Sequence, residues 1–111
     1  MRVDKFGKDL ATGSYDLLVM DILNKKPAYA YEIVREISER SRHAIRWREG
    51  TVYRVLYHLE KQGFATSHWR GPKTGRQRRY YAITTRGRRA WQTQRAQWRQ
   101  FSRALNALLG S

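Results

Sequence analysis

The sequence predicts a mostly α fold with a small β-wing, closed by a long C-terminal helix. Three observations predict it. Apolar residues recur at helical spacing in three segments between Ser14 and Gly63. Two strand-like runs, Phe64 to Trp69 and Arg78 to Thr84, flank a turn-forming loop that holds Gly71, Pro72 and Gly75. A helical period then resumes after Thr84 and lasts to about Leu109 and Gly110.

The chain has 111 residues, the size of one domain. It has no cysteine, which excludes a disulfide framework and a thiolate metal site. The N-terminal stretch MRVDKFGKDLATG has no apolar signal core, and no apolar run is long enough to span a membrane.

The formal net charge is +14. Residues 1–60 carry eleven Lys/Arg against nine Asp/Glu, whereas residues 61–111 carry twelve Lys/Arg and no acid. A half-chain of one sign repels itself when compact, and a polyanion relieves that. Nucleic acid is the expected partner, made double-stranded DNA by the winged-helix order below, with an anionic membrane surface as the rival and a basic surface without a partner as the plain alternative. The histidines His43, His58 and His68 lie in three different elements without ligand spacing, so no metal is expected. No catalytic arrangement is present and the second half has no carboxylate for acid–base work, so the chain reads as a non-enzyme with no cofactor.

Each element follows in order. Residues 1–13 read as a loose arm. Ser14 stands where a cap belongs, and Leu17, Leu18, Met20 (or its neighbour Val19), Ile22 and Leu23 give the first helix a broad apolar face. It ends near Lys26, before Pro27. A second helix is expected from about Tyr29 to Ser41, with Tyr31, Ile33, Val34 and Ile37 inside. His43 to Trp47 alternates and reads as one brief strand. The stretch EGTVYRVLYHLEKQG, Glu49 to Gly63, is a third helix. With Val52 at zero and a turn of 100° per residue, Val55, Leu56 and Leu59 fall within about 60° of it. Gly50, Arg54, Tyr57 and Lys61 fall on the opposite side, with Tyr53 and His58 at its flanks. Gly63 stops the helix. A hairpin with the loop RGPKTGRQ follows, and Thr84 or Thr85 caps the last helix. Two helices, then a third followed by a basic hairpin, is the order of a winged helix-turn-helix. It spans residues 14–84, and residues 85–109 form the closing helix.

The stretches Lys26–Ile33, Gly50–Gly63 and Arg79–Gly87 resemble, in order, segments of the PadR family of bacterial transcription regulators. Lys26-Pro27-Ala28-Tyr29-Ala30-Tyr31-Glu32-Ile33 resembles its Pro-x-x-Gly-Tyr-Glu-Ile segment, with Ala30 in place of the glycine. Gly50-Thr51-Val52-Tyr53-Arg54-Val55-Leu56-Tyr57-His58-Leu59-Glu60-Lys61-Gln62-Gly63 resembles its recognition helix, with Arg48-Glu49 where a small polar residue commonly precedes the Gly-Thr. Arg79-Tyr80-Tyr81-Ala82-Ile83-Thr84-Thr85-Arg86-Gly87 resembles its lead into the last helix. The match runs in order from about residue 14 to 109. It implies a cytoplasmic, homodimeric DNA-binding regulator, usually a repressor, of the short type whose single C-terminal helix dimerises. Many members release DNA on binding a small molecule.

On that resemblance the DNA-binding residues are Thr51, Tyr53, Arg54, Tyr57 and Lys61 on the third helix and Arg70, Lys73, Arg76 and Arg78 on the wing. Arginine reads guanine bidentately, and tyrosine and lysine meet phosphates. Thr51, near the helix N-terminus, can offer its hydroxyl and backbone N–H to a phosphate. Tyr53 is open between this role and core packing. Arg78 and Arg79 sit on a strand and point to opposite faces, so one of them at most faces a duplex.

In the last helix Trp91, Trp98 and Leu105 recur every seven residues, with Gln94, Phe101 and Leu108 on the neighbouring line. That is a coiled-coil-like seam, and Trp91, Trp98, Phe101, Leu105 and Leu108 are its dimerisation residues. Arg95, Arg99 and Arg103 form a basic ridge beside it. Trp91 and Trp98 have two readings. They anchor the interface, or they wall a pocket that stacks a flat aromatic effector. Two other functions compete with sequence-specific regulation: a winged helix that coats nucleic acid without sequence preference, and one that binds an acidic protein.

Overall fold

The computed structural model describes residues 14–110. The expected arm over residues 1–13 lies outside them. The elements are α1 (Tyr15–Lys25), α2 (Ala30–Arg40), α3 (Glu49–Lys61), β1 (Ala65–Arg70), β2 (Arg78–Ile83) and α4 (Thr85–Leu109).

Each helix has a local reason to begin and end where it does. Ser14 stands at the N-cap of α1, where its carbonyl accepts the first helical bond, from Leu18 N at 2.9 Å, and its hydroxyl makes no capping bond. Helix α2 starts one residue later than expected. Glu32 reaches back to accept from the backbone N–H of Tyr29 at 3.3 Å, which satisfies one donor that has no partner within the helix. Gly63, at φ +80°, ends α3 in the left-handed region that glycine enters without penalty. Thr84 caps α4: its hydroxyl oxygen accepts from Gly87 N at 2.9 Å and donates to the Gly63 carbonyl at 2.7 Å.

The hairpin pairs β1 and β2 antiparallel, from Ala65 opposite Ile83 to Arg70 opposite Arg78. Ala28 adds a bridge to Tyr81 through bonds of 3.0 and 2.9 Å, which ties the turn before α2 to the sheet. Val19, Met20, Leu23, Ile33, Leu56 and Tyr81 are fully buried between α1, α2, α3 and the inner side of β2. The apolar line expected on α3 is this core: Val52, Val55, Leu56 and Leu59 are all buried.

Two details of the expected layout are corrected. Residues 43–47 form no strand element; Ile45 makes only a single bridge. Arg42 and His43 take left-handed backbone angles, φ 53° and 66°, and the Ser41 hydroxyl accepts from Ile45 N at 3.0 Å. A turn tied this way cannot stay extended. Tyr31 is exposed (49%) rather than part of the inner stripe of α2, whose buried positions are Ala30, Ile33 and Ile37.

Several contacts fasten α4 to the rest, among them Arg88, which donates to the Asn24 side chain of α1 at 2.8 Å. Gly87 packs where a Cβ would strike the Phe64 carbonyl oxygen and would stand 2.7 Å from the Ile83 side chain. One turn further on, the Trp91 indole N–H donates to Asp21 at 3.0 Å, and Arg40 holds the other carboxylate oxygen of Asp21, also at 3.0 Å. Burial pushes the Asp21 carboxyl up. The Trp91 hydrogen bond, the Arg40 guanidinium and the nearby charge of Lys25 outweigh it and hold it below the ordinary value.

Gly87→Ala is therefore expected to destabilise the fold by ~1–3 kcal/mol through overpacking, read as a lower denaturation midpoint by circular dichroism. Asp21 has a lowered folded pKa, so the stability it contributes is present at neutral pH. That stability is lost as pH falls through the folded value, below 3.8. Asp16, whose carboxyl burial pushes up despite His58, has the opposite sign. Denaturant titrations of wild type and Asp21→Asn at pH 7 and pH 3 check this: the variant should be the less stable at pH 7, and the gap should shrink in acid.

Candidate nucleic-acid interface

Burying one side of α3 turns its other side outward. Arg54, Tyr57 and Lys61 are exposed there. The Arg54 guanidinium lies 3.5 Å from the Thr51 hydroxyl, so both reach the same part of the surface. Thr51 is half-buried, and its backbone N–H is already used, donating to the Arg48 carbonyl at 3.1 Å. Its hydroxyl is what it offers. Tyr53 is half-buried, packs against the core and also stands beside Tyr57, ring centroids 6.2 Å apart. His58 is drawn away: its Nε2 lies 3.2 Å from the Asp16 carboxylate of α1.

The wing rises beside this face. Lys73 and Arg76 are exposed in its loop. Arg70 lies over the Tyr80 ring at 4.6 Å, and Arg78 over the Tyr29 ring at 4.7 Å. Arg79 points the other way, donating to Ser67 at 3.0 Å and standing 3.7 Å from Glu60. The alternation along β2 thus leaves Arg78 on the outer side and turns Arg79 inward. Between α3 and the wing runs a cleft of about 650 Å3, walled by Tyr53, Tyr57, Trp69 and Arg76. Trp69 (62% exposed) was not anticipated. Its signal was an aromatic residue at the solvent end of a strand beside a basic loop.

Gly50 lies on the same outer face. A Cβ there would meet nothing within 4 Å, so no packing requires a glycine. A glycine in an exposed helical position costs ~0.5–1 kcal/mol relative to alanine. A bare backbone at the start of α3 admits close approach by an external partner.

On α4, Trp98 (42%), Phe101 (57%), Leu105 (38%) and Leu108 (84%) are exposed, with Trp98 and Phe101 ring centroids 6.1 Å apart. Trp91 is the exception in that line. It is half-buried against the chain's own α1 through Asp21, and Arg95 covers its ring at 5.2 Å. Among the described residues no helix is long and apolar enough to cross a membrane.

The profile of the PadR-like family of transcriptional regulators matches residues 19–93. The chain belongs to that family. A transcriptional regulator from Clostridium thermocellum superimposes with a TM-score of 0.84 at 26% identity, covering 93% of this chain and 97% of that one. A PadR family regulator from Clostridium difficile gives 0.77 at 31% identity, covering 87% and 99%. An uncharacterized protein of Lysinibacillus sphaericus is 32% identical over 80 residues, 72% of this chain and 73% of its own length. The PadR fold here is a winged helix with a long C-terminal helix. DNA-binding transcription regulation, not catalysis, is the function that goes with it.

Gly50→Ala is expected to raise stability by ~0.5–1 kcal/mol while weakening binding to duplex DNA. Paired denaturation and fluorescence-anisotropy measurements check it. Unchanged DNA affinity would mean that the bare turn serves no contact.

Proposed function

We propose that the protein is a cytoplasmic repressor that binds an inverted repeat as a homodimer. Residues 14–84 form the DNA-binding unit and residues 85–109 the dimerisation helix. Helix α3 enters the major groove, where Arg54 reads a base edge and Thr51, Tyr57 and Lys61 hold phosphates. Arg70, Lys73, Arg76 and Arg78 of the wing follow the backbone toward the minor groove. The observation that carries the dimer is the row Trp98, Phe101, Leu105 and Leu108, apolar and exposed along one line of α4. A second copy laid along that line buries it, and the two-fold axis that results demands a symmetric operator. A flat aromatic effector that stacks on Trp98 in this seam would change the angle between the two halves and release DNA.

Selection of bound duplexes from random DNA tests this, with an inverted repeat expected. Leu105→Asp puts an unpaired carboxylate into the seam twice per dimer, a loss of several kcal/mol per copy. Sedimentation should then find a monomer, operator affinity should collapse, and circular dichroism should stay helical because the core of the winged unit is untouched. An intact dimer with normal binding would rule out α4 as the dimerisation element.

A further inference from the structure

We infer that Glu49 is a specificity residue that accepts a hydrogen bond from the exocyclic N4 amine of a cytosine in each half-site. The inference rests on the reading that α3 enters the major groove.

Its starting point is an accounting of carboxylates. Among the described residues, nearly every acid is engaged. Asp16 faces His58 at 3.2 Å, and Asp21 holds Arg40 and Trp91 at 3.0 Å each. Glu32 takes the Tyr29 amide at 3.3 Å, and Glu36 faces Arg40 at 3.9 Å. Glu39 faces Arg35 at 3.8 Å, and Glu60 accepts from Ser67 at 2.8 Å. Glu49 is the one described carboxylate with neither a hydrogen bond nor an ion pair, although arginines line its cleft. It lines the same cleft as Arg76 and Arg78, at the first residue of α3.

That position narrows what Glu49 can meet. A phosphate beside an unpaired carboxylate is repelled, so the DNA backbone does not lie against it. The N-terminal residues of a recognition helix are the ones that reach base edges. Next to Glu49 stands Gly50, with no side chain and nothing near it to fill the space, so a base edge can come close to this turn. An ionised carboxylate only accepts hydrogen bonds. The major-groove edge of guanine offers acceptors and that of cytosine an N4 donor, which makes cytosine the base suited to an isolated glutamate. The dipole of α3 also favours an acid in its first turn, but that effect stabilises the helix and carries no base preference.

The test uses the full-length protein and the operator recovered by selection. Wild type should require cytosine at one position per half-site, with replacement of that pair weakening binding roughly 5- to 150-fold. Glu49→Ala should abolish the preference at that position and leave preferences elsewhere in place. Glu49→Gln should move it toward adenine, which glutamine reads bidentately. A cytosine preference that survives Glu49→Ala overturns the inference. So does a uniform rise in affinity for every duplex, which would make Glu49 a general brake, and so does a lower denaturation midpoint with unchanged specificity, which would leave only the dipole role. A wild-type protein that selects no sequence at all would instead remove the sequence-specific reading on which the inference rests.

Discussion

One line of side chains on α3 constrains everything around it. Val52, Leu56 and Leu59 are fully buried and Val55 nearly so. Burying each such side chain stabilises the fold by ~1.5–3 kcal/mol. A helix of 13 residues is marginal on its own, so it holds its shape because this line is covered. Helix rotation is then no longer free. With one face fixed inward, the residues about half a turn away are fixed outward, and Gly50, Arg54, Tyr57 and Lys61 form a surface whose layout the core dictates. The wing is tied to the same core through Tyr81 and its bridge to Ala28, so the two parts of the interface share one support.

The charges divide along the same line. The acids of α1 and α2 are spent within the chain, on Arg40, Arg35, His58 and the Trp91 indole. The arginines of the second half have almost no acids to meet, and several rest on aromatic rings instead: Arg70 on Tyr80, Arg78 on Tyr29, Arg86 on Phe64 and Arg95 on Trp91. At exposed sites such a contact contributes ~0.5–1 kcal/mol. It steadies the side chain without neutralising it, which keeps the positive potential of the surface intact for a polyanion.

Much of this was legible in the residues because it depends on period. The helices, the hairpin, the buried line of α3 and the outward place of Arg54, Tyr57 and Lys61 all follow from spacings of two or 3.6. What escaped depends on partners far along the chain or on backbone angles. The turn at Arg42 and His43 looked like a strand because alternation carries no sign of φ. Tyr31 sits three residues before Val34, a helical spacing, yet nothing in that spacing says where the wall of the core ends. Trp91 fits a seven-residue repeat with Trp98, but the repeat does not tell whether the covering surface belongs to the same chain, and Asp21 supplies it from 70 positions away. The isolation of Glu49 is visible only once the partners of the other carboxylates are known.

The fastenings of α4, all at its N-terminal end, have a mechanical consequence. Thr84 with Gly87 grips the start of the helix, and Trp91 with Asp21 grips it one turn later. Beyond Trp91 the helix runs on to Leu109, about 27 Å at 1.5 Å per residue. It is a cantilever clamped at one end. A rotation of about 5° at the clamp moves the tip by roughly 2 Å over that length, several times what the anchoring side chains themselves would shift. Small adjustments at Asp21, Arg40 or the Gly87 contact are therefore magnified at the exposed apolar end, so a modest change near the first helix becomes a change in the position of whatever the far end holds.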